Sequence, residues 1–365
     1  MAISVIHDLL ELGVNSNASD WHIKEGHTVI LRIDGNLVDT DFIPDAACID
    51  KILLQLTNEE LIHKYHDSGD LDVSYVEDNV GRFRVNVHKQ RGRPSFTLRH
   101  VKTKIMHLEE LGTPPILEKI SEHPRGIVIV GGTTGSGKST TLAGMLEHVN
   151  VNFRRHCVTI EDPIEYEFED KKSVFEQREV GLDTLSFRAA LTHVLRQDPD
   201  IIMVGEMRDR ESFDAALQAA DTGHLVLTTL HATTAAQSIN RILDFYDHVE
   251  QSSIRMALSI NLYSIICQRL LPKAFGGGVV PAVEVMINTP MVRKLLEKDQ
   301  LDKLPAAIET GRDDGMQSFN QSLLGLVNAG TITEEDALNA ASNPDALRMN
   351  LKGIELNTSS QILGV

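Results

Sequence analysis

The sequence has little of several things, and each shortage narrows what the chain can be. It holds three cysteines, Cys48, Cys157 and Cys267, widely spaced, each in an apolar stretch and with no C-x-x-C pair. That pattern argues against a disulfide framework, a zinc site or a redox motif and leaves small buried hydrophobes. No apolar run approaches the roughly 18 residues that a membrane span needs. The opening MAISVIHDLLELGVNSN has neither the basic start nor the apolar stretch of a secretory signal, so a cytoplasmic location is expected. Internal repeats and low-complexity segments are absent. Positive charge is scarce as well: the net charge is −17, which disfavours unguided binding to nucleic acid or an anionic membrane.

What is present is an ordinary globular composition. The chain has 365 residues, 42% hydrophobic and 24% charged, enough for two or three domains. The few cations are unevenly placed, because Arg82 to Leu108 carries five arginines, three lysines and no acid. A cationic strip in an acidic chain calls for an anionic partner. Nucleic acid, a neighbour's acidic surface and a nucleotide's phosphates all qualify.

Residues 1–101 read as a small α+β domain. Strands are expected at Thr28–Ile33, Leu71–Tyr75, Gly81–His88 and Ser95–Val101, with a turn at Asp34-Gly35. Ile49 to Tyr65 has helical spacing. Arg82, Arg84 and Asn86 alternate with Phe83, Val85 and Val87, which gives that strand one polar and one apolar face. Residues 102–115, ending in Pro114-Pro115, read as a linker, and 116–365 as a second domain. There, strands at Gly126–Val130, Cys157–Ile160, Ile201–Val204 and Leu225–Leu230 alternate with helices at Lys138–Val149, Leu185–Arg196 and Ser212–Asp221. Such alternation implies right-handed crossovers and a mostly parallel sheet. Beyond about residue 250 the pattern reads as mainly helical, with a buried helix over Ser252–Leu271.

The most specific signal is Gly132-Thr133-Thr134-Gly135-Ser136-Gly137-Lys138-Ser139, a full match to G-x-x-x-x-G-K-[ST] between a buried strand and a helix. The glycines let backbone amides converge on phosphates, and the helix N-terminus adds partial positive charge. Lys138 would reach the β- and γ-phosphates of ATP, and the Ser139 hydroxyl would ligate Mg²⁺. Asp200 to Glu206 looks like an apolar strand delivering an acid, Glu206, to the phosphate end of the sheet, where it can bind the Mg²⁺ hydration shell or polarise water; capping the next helix is the alternative. Glu161, Asp162 and Glu165 follow the strand Cys157–Ile160, and three carboxylates there call for a cation or a water to activate, unless they are simply solvated. His224 and His231 bracket the strand Leu225–Leu230, and His231 follows its carboxyl end, where a γ-phosphate would lie.

GGTTGSGKST, TIEDPIEY, DPDIIMVGEMRD and TGHLVLTTLHATTA, in that order and spacing, resemble the secretion-superfamily ATPases, and among them the PilT/PilU-type type IV pilus retraction motors. The similarity runs from Ser19-Asp20 to Gly315-Met316-Gln317. It implies an α/β fold: a RecA-like P-loop ATPase core with an N-terminal PAS-like α+β domain. It also implies a homohexamer that hydrolyses ATP to power pilus retraction and twitching motility, in contact with an inner-membrane pilus platform protein and, in some systems, a second retraction ATPase. Onto matching positions it carries a Walker A pair at Lys138 and Ser139, beside Thr140, and a Walker B acid at Glu206. Glu165 matches the catalytic base, supported by Glu161 and Asp162, and His224 and His231 match the His box. Arg82, Arg84 and Arg99 match arginines supplied to the nucleotide, which makes ATP rather than nucleic acid the partner of the cationic strip. Arg91 and Arg93 fall to a solvated turn. The chain departs from the family at Thr133, where proline is usual, and at Met291–Leu296, where only Arg293 and the apolar pattern persist. Asn288-Thr289-Pro290 and Ile332–Leu338 lean toward the PilU branch. Assembly motors for pilus extension or type II secretion usually have a longer N-terminal region and a four-cysteine insertion, which this sequence does not show. A non-hydrolysing nucleotide-binding regulator and a DNA translocase are the rivals from other classes.

Overall fold

The computed structural model describes residues 5–33, 35–101 and 104–354. The chain divides into two compact units, residues 1–103 with 165–167, and residues 104–164 with 168–365.

The first unit contains α1 (Val5–Asn15), β1 (Ala18–Lys24), β2 (Ile30–Ile33), β3 (Asn36–Asp39), α2 (Ala46–Leu56), α3 (Glu59–Ser68), β4 (Asp70–Glu77), β5 (Gly81–Gln90) and β6 (Arg93–His100). Its six strands pair antiparallel in the order β3-β2-β1-β6-β5-β4. Trp21, Ile23, Phe83, Val85, Val87, Phe96 and Leu98 from the central strands are buried with Ile6, Leu10, Ile49 and Ile52 from the helices. The period-two alternation of β5 therefore puts its arginines on the other face. The single helix expected over Ile49–Tyr65 is two. Asn58 takes an extended conformation at ψ 177° and its side chain accepts the Leu61 N–H, so a new helix starts there. Gly69, at φ 85°, ends α3 in the left-handed region that glycine enters without strain. The expected Asp34-Gly35 turn falls partly outside the described residues, at Asp34.

In the second unit, α4 (Ile116–Ser121) precedes β7 (Gly126–Gly131), α5 (Lys138–Asn152), β8 (His156–Glu161), β9 (Val174–Glu179), α6 (Phe187–Val194) and β10 (Ile201–Val204). Then come α7 (Arg210–Asp221), β11 (Leu225–Leu230), α8 (Ala235–Leu243), α9 (His248–Asn261), β12 (Leu262–Pro272) and β13 (Val279–Ile287). The helices α10 (Pro290–Glu297), α11 (Leu304–Thr310), α12 (Phe319–Asn328), α13 (Glu334–Ala340) and α14 (Pro344–Leu351) follow. The sheet order is β13-β12-β7-β11-β10-β8-β9, parallel except for β13 at the edge. Lys102 and Thr103 of the expected linker lie outside the described residues, and from Lys104 the chain belongs to this unit. Leu108 is buried, and a side chain on Gly144 of α5 would meet both Leu108 and Leu111 at 3.1 Å.

One expectation fails here. Ser252–Leu271 is not a single buried helix: α9 stops at Asn261, and β12 begins at Leu262, whose φ and ψ are −68° and 132°. A strand covered on both faces reads as a continuous apolar run, which periodicity cannot separate from a buried helix. β12 takes that central position beside β7, so the region past residue 250 completes the sheet as well as adding helices. Cys157 and Cys267 are buried, and burial pushes both thiols up, Cys157 to about 12; Cys48 is half-buried. Among the described residues no helix is long and apolar enough to cross a membrane.

Candidate nucleotide site

Parallel strands deliver their carboxyl ends to one edge, and in such sheets that edge collects the chemistry. The register fixes the alignment. Gly131 at the end of β7 pairs with Leu230 on β11 and with Cys267 on β12, and Val204 on β10 pairs with Thr228 and Ile160. The chain leaving β7 (Gly132), β8 (Asp162), β10 (Gly205-Glu206) and β11 (His231) therefore emerges on the same side.

The loop Gly132 to Gly137 needs its glycines. Gly132, Gly135 and Gly137 have φ of 155°, 77° and 85°. A Cβ on Gly132 would lie 2.3 Å from Ser136 Oγ, and one on Gly137 would lie 2.9 Å from Gln268 Nε2. Lys138 Nζ folds back over this loop, donating to Gly132 O at 3.1 Å and Thr133 O at 3.0 Å. Ser136 Oγ is buried with no hydrogen-bond partner among the described residues, a polar group inside the cradle. Ser139 and Thr140 follow in the first turn of α5, both half-buried. A cradle of amides, one ammonium group and a serine hydroxyl suits an anion with a hard divalent cation. Among the described residues no cluster of three or more His, Cys, Asp or Glu could hold a metal by itself. Mg²⁺ fits this donor set as an ion shared with phosphate rather than caged by protein.

Glu206 stands across the edge. Its Oε1 lies 3.1 Å from His231 Nε2 and its Oε2 accepts from Arg208 Nε at 2.8 Å. Arg208 also lies 3.9 Å from Asp162, so Asp162, Arg208, Glu206 and His231 form one charged chain. Capping is not what Glu206 does: the cap of α7 is Asp209, whose side chain accepts the Ser212 N–H. Thr229 Oγ1 donates to Gly205 O at 2.6 Å and so holds the peptide that carries Glu206.

The first acid after β8 differs from the next two. Glu161 is 6% exposed and accepts from Thr159 Oγ1 at 2.7 Å and Gln177 Nε2 at 3.3 Å. Asp162 and Glu165 are exposed. Between them the loop is held by Glu179, whose buried carboxylate accepts the Ile164 N–H at 3.1 Å. His224 is not brought to this edge. It stands at the amino end of β11, with Nδ1 2.9 Å from Ala219 O, while His231 stands at the other end. Six strand residues at about 3.3 Å each separate the two by roughly 20 Å.

In the first unit, Arg84, Arg99 and Asp20 occupy one cross-strand row. Asp20 is 4% exposed and accepts from Arg99 Nε at 2.8 Å, while the Arg99 side chain stays 63% exposed. The carboxylate thus aims the guanidinium without covering it. Arg82 and Arg84 are half-buried on the same strand. Arg91 is exposed in the β5–β6 turn at φ 53°, and Arg93 pairs with Glu25 at 2.6 Å.

Sequence reasoning missed Arg208, Thr229, Glu179 and Gln268; the last three act through partners far away in the chain. Only Arg208 gave a local signal, as a cation two residues after Glu206 in GEMRD.

Residues 1–311 match the model of a family described as type II/IV secretion system protein. The chain is 41% identical to the type IV pilus retraction ATPase PilT of Pseudomonas aeruginosa, over 93% of this chain and 99% of that protein. It is 39% identical to the type IV pilus ATPase PilU of the same organism, over 94% of this chain and 90% of that one. A crystal structure of the pilus retraction motor PilT with bound ADP superposes with a TM-score of 0.86 at 40% identity, covering 93% of this chain and 98% of the other. With this breadth of similarity, the chain belongs to the type II/IV secretion system protein family and is one of its ATPases.

Proposed function

We propose that this chain is the subunit of a hexameric motor that hydrolyses ATP to retract type IV pili in twitching motility. The observation that carries the chemistry is Glu206 held between His231 and Arg208 on the sheet edge that bears the phosphate loop. Held at both oxygens, the carboxylate is oriented to serve a metal ion's hydration shell or a water beside the phosphates. Similarity to a pilus retraction ATPase over nearly its whole length supports the biological role.

The residues divide the work. Loop amides and Lys138 bind the phosphates and offset charge as it develops on them. Ser139, and Glu206 through the ion's hydration shell, would hold Mg²⁺, which would supply electrostatic stabilisation when bound. Glu165 orients and deprotonates the attacking water, with Glu161 and Asp162 in support. Arg82, Arg84 and Arg99 would present guanidinium groups to the nucleotide and offset its negative charge. The ring would act at the cytoplasmic face of the inner membrane on a pilus platform protein. A PilU-like accessory role beside a second retraction ATPase is the second reading. The 39% identity to a PilU over 94% of this chain supports it.

Steady-state phosphate release by purified Glu165→Gln tests the base. Turnover should fall by roughly 10² or more while nucleotide still binds; near-normal turnover would move the role to Glu161 or Glu206. In cells, deleting the gene should leave labelled pili that extend and do not retract.

A further inference from the structure

Gln268 is a buried polar residue that the reading above leaves without a task. It follows Cys267, the β12 residue that pairs with Gly131, and is 2% exposed. Its Nε2 donates to Ser136 O at 2.5 Å, and its Oε1 accepts from Thr141 Oγ1 at 2.8 Å. A backbone carbonyl only accepts, so the amide has one orientation. Both partners belong to the phosphate loop and the helix it opens, while Gln268 itself lies 132 positions away from Ser136 in the chain.

The surroundings leave little slack. A Cβ on Gly137 would sit 2.9 Å from Gln268 Nε2, and one on Gly132 would sit 2.8 Å from Gln268 O. The strand thus templates the loop at two of its three glycines, Gly132 and Gly137. A trans peptide is planar with its C=O and N–H antiparallel. Turning Ser136 O toward β12 therefore turns the Gly137 N–H away from β12. Fixing that amide before a ligand arrives removes part of the ordering cost of binding.

We propose that Gln268 is a positioning residue of the nucleotide site: its side-chain amide sets the Ser136–Gly137 peptide, so that the loop amides are ordered for the phosphates of ADP or ATP. The assignment rests on the phosphate-loop reading and deepens it. Gln268 touches no reacting atom, so its loss should weaken nucleotide binding more than it slows bound nucleotide.

The test titrates Mg·ADP into the full-length parent, Gln268→Leu, Gln268→Glu, Thr141→Val and Lys138→Ala, and measures melting without nucleotide alongside ATPase KM and kcat. Leucine keeps the volume and removes both hydrogen bonds; glutamate keeps the shape and removes the donor. Gln268→Leu should bind Mg·ADP roughly tenfold more weakly, and Gln268→Glu at least as weakly, because Ser136 O would then face a carboxylate. KM should rise by a similar factor with kcat within about twofold of the parent, at an unchanged melting temperature. Thr141→Val, which frees one side of the amide, should lose roughly threefold and serves if the Gln268 variants do not fold. Parent-like affinity in folded Gln268→Leu, or in Thr141→Val where Gln268→Leu does not fold, overturns the inference. A parent that binds no Mg·ADP, like Lys138→Ala, instead removes the phosphate-loop reading beneath it.

Discussion

The two ends of β11 carry a histidine each, and they differ in everything but residue type. At the carboxyl end, His231 pairs with Glu206 beside the phosphate loop; at the amino end, His224 caps a turn against Ala219 O and Thr222. The same contrast holds for the sheet as a whole. Its carboxyl edge gathers Lys138, Glu206, Arg208 and Asp162 into ion pairs and loop contacts, while at its amino edge Asp200 accepts the His156 N–H at 2.8 Å and ties two strands together. A parallel sheet has a direction, and the lesson is that position along a strand separates a chemical residue from a structural one of the same kind.

The comparison can be broken most severely at Lys138. Lys138→Ala should abolish measurable nucleotide binding and lower turnover by at least roughly a hundredfold, read by phosphate release and equilibrium titration. The two histidines provide the sharper contrast. His231→Ala should cut turnover by roughly tenfold or more, since it removes a hydrogen bond to a charged group, whereas His224→Ala should leave nucleotide affinity of the purified protein within about twofold, as a surface change away from the site. A loss of affinity in His224→Ala as large as the loss of turnover in His231→Ala would erase the distinction between the edges. The arginine face gives a smaller split: Arg99→Ala should slow turnover severalfold to tenfold, while Arg91→Ala, on an exposed turn, should stay within about twofold.

The smallest effect concerns stability. Glu284 on β13 is 8% exposed; burial raises its carboxyl above the ordinary range, and the Ala235 N–H it accepts partly offsets this. A raised carboxyl binds its proton more tightly in the folded chain, so stability from this group is present at low pH. It is lost as pH rises past the unfolded value of about 4.3 toward the raised one. Glu284→Gln keeps the acceptor without the charge. It should melt about 2 to 4 °C higher than the parent at pH 7 and lose that advantage near pH 4, by calorimetry.

The legibility of the sequence followed the same division between local and distant. Gly132 to Ser139 names its own structure, because the loop's glycines and the helix after it are contiguous. β10 with Glu206, and the alternation that turns Arg82 and Arg84 away from Phe83 and Val85, are also local patterns. Partners are another matter. That Glu206 would meet His231, or Gln268 meet Ser136, depends on strand order, and strand order is not written in any short segment. β12 was hidden for a related reason: between β7 and β13 it is covered on both faces, and Leu262–Leu271 then looks like the continuation of α9. The break between α2 and α3 lay in plain view at Asn58, but apolar periodicity on both sides concealed it.

The account turns on the phosphate edge holding a nucleotide with magnesium. Isothermal titration of the purified full-length chain with Mg²⁺ and a slowly hydrolysed ATP analogue measures that directly. A saturable heat with micromolar affinity, absent in Lys138→Ala, is the predicted result; no saturable heat from the folded parent at any magnesium concentration would contradict it.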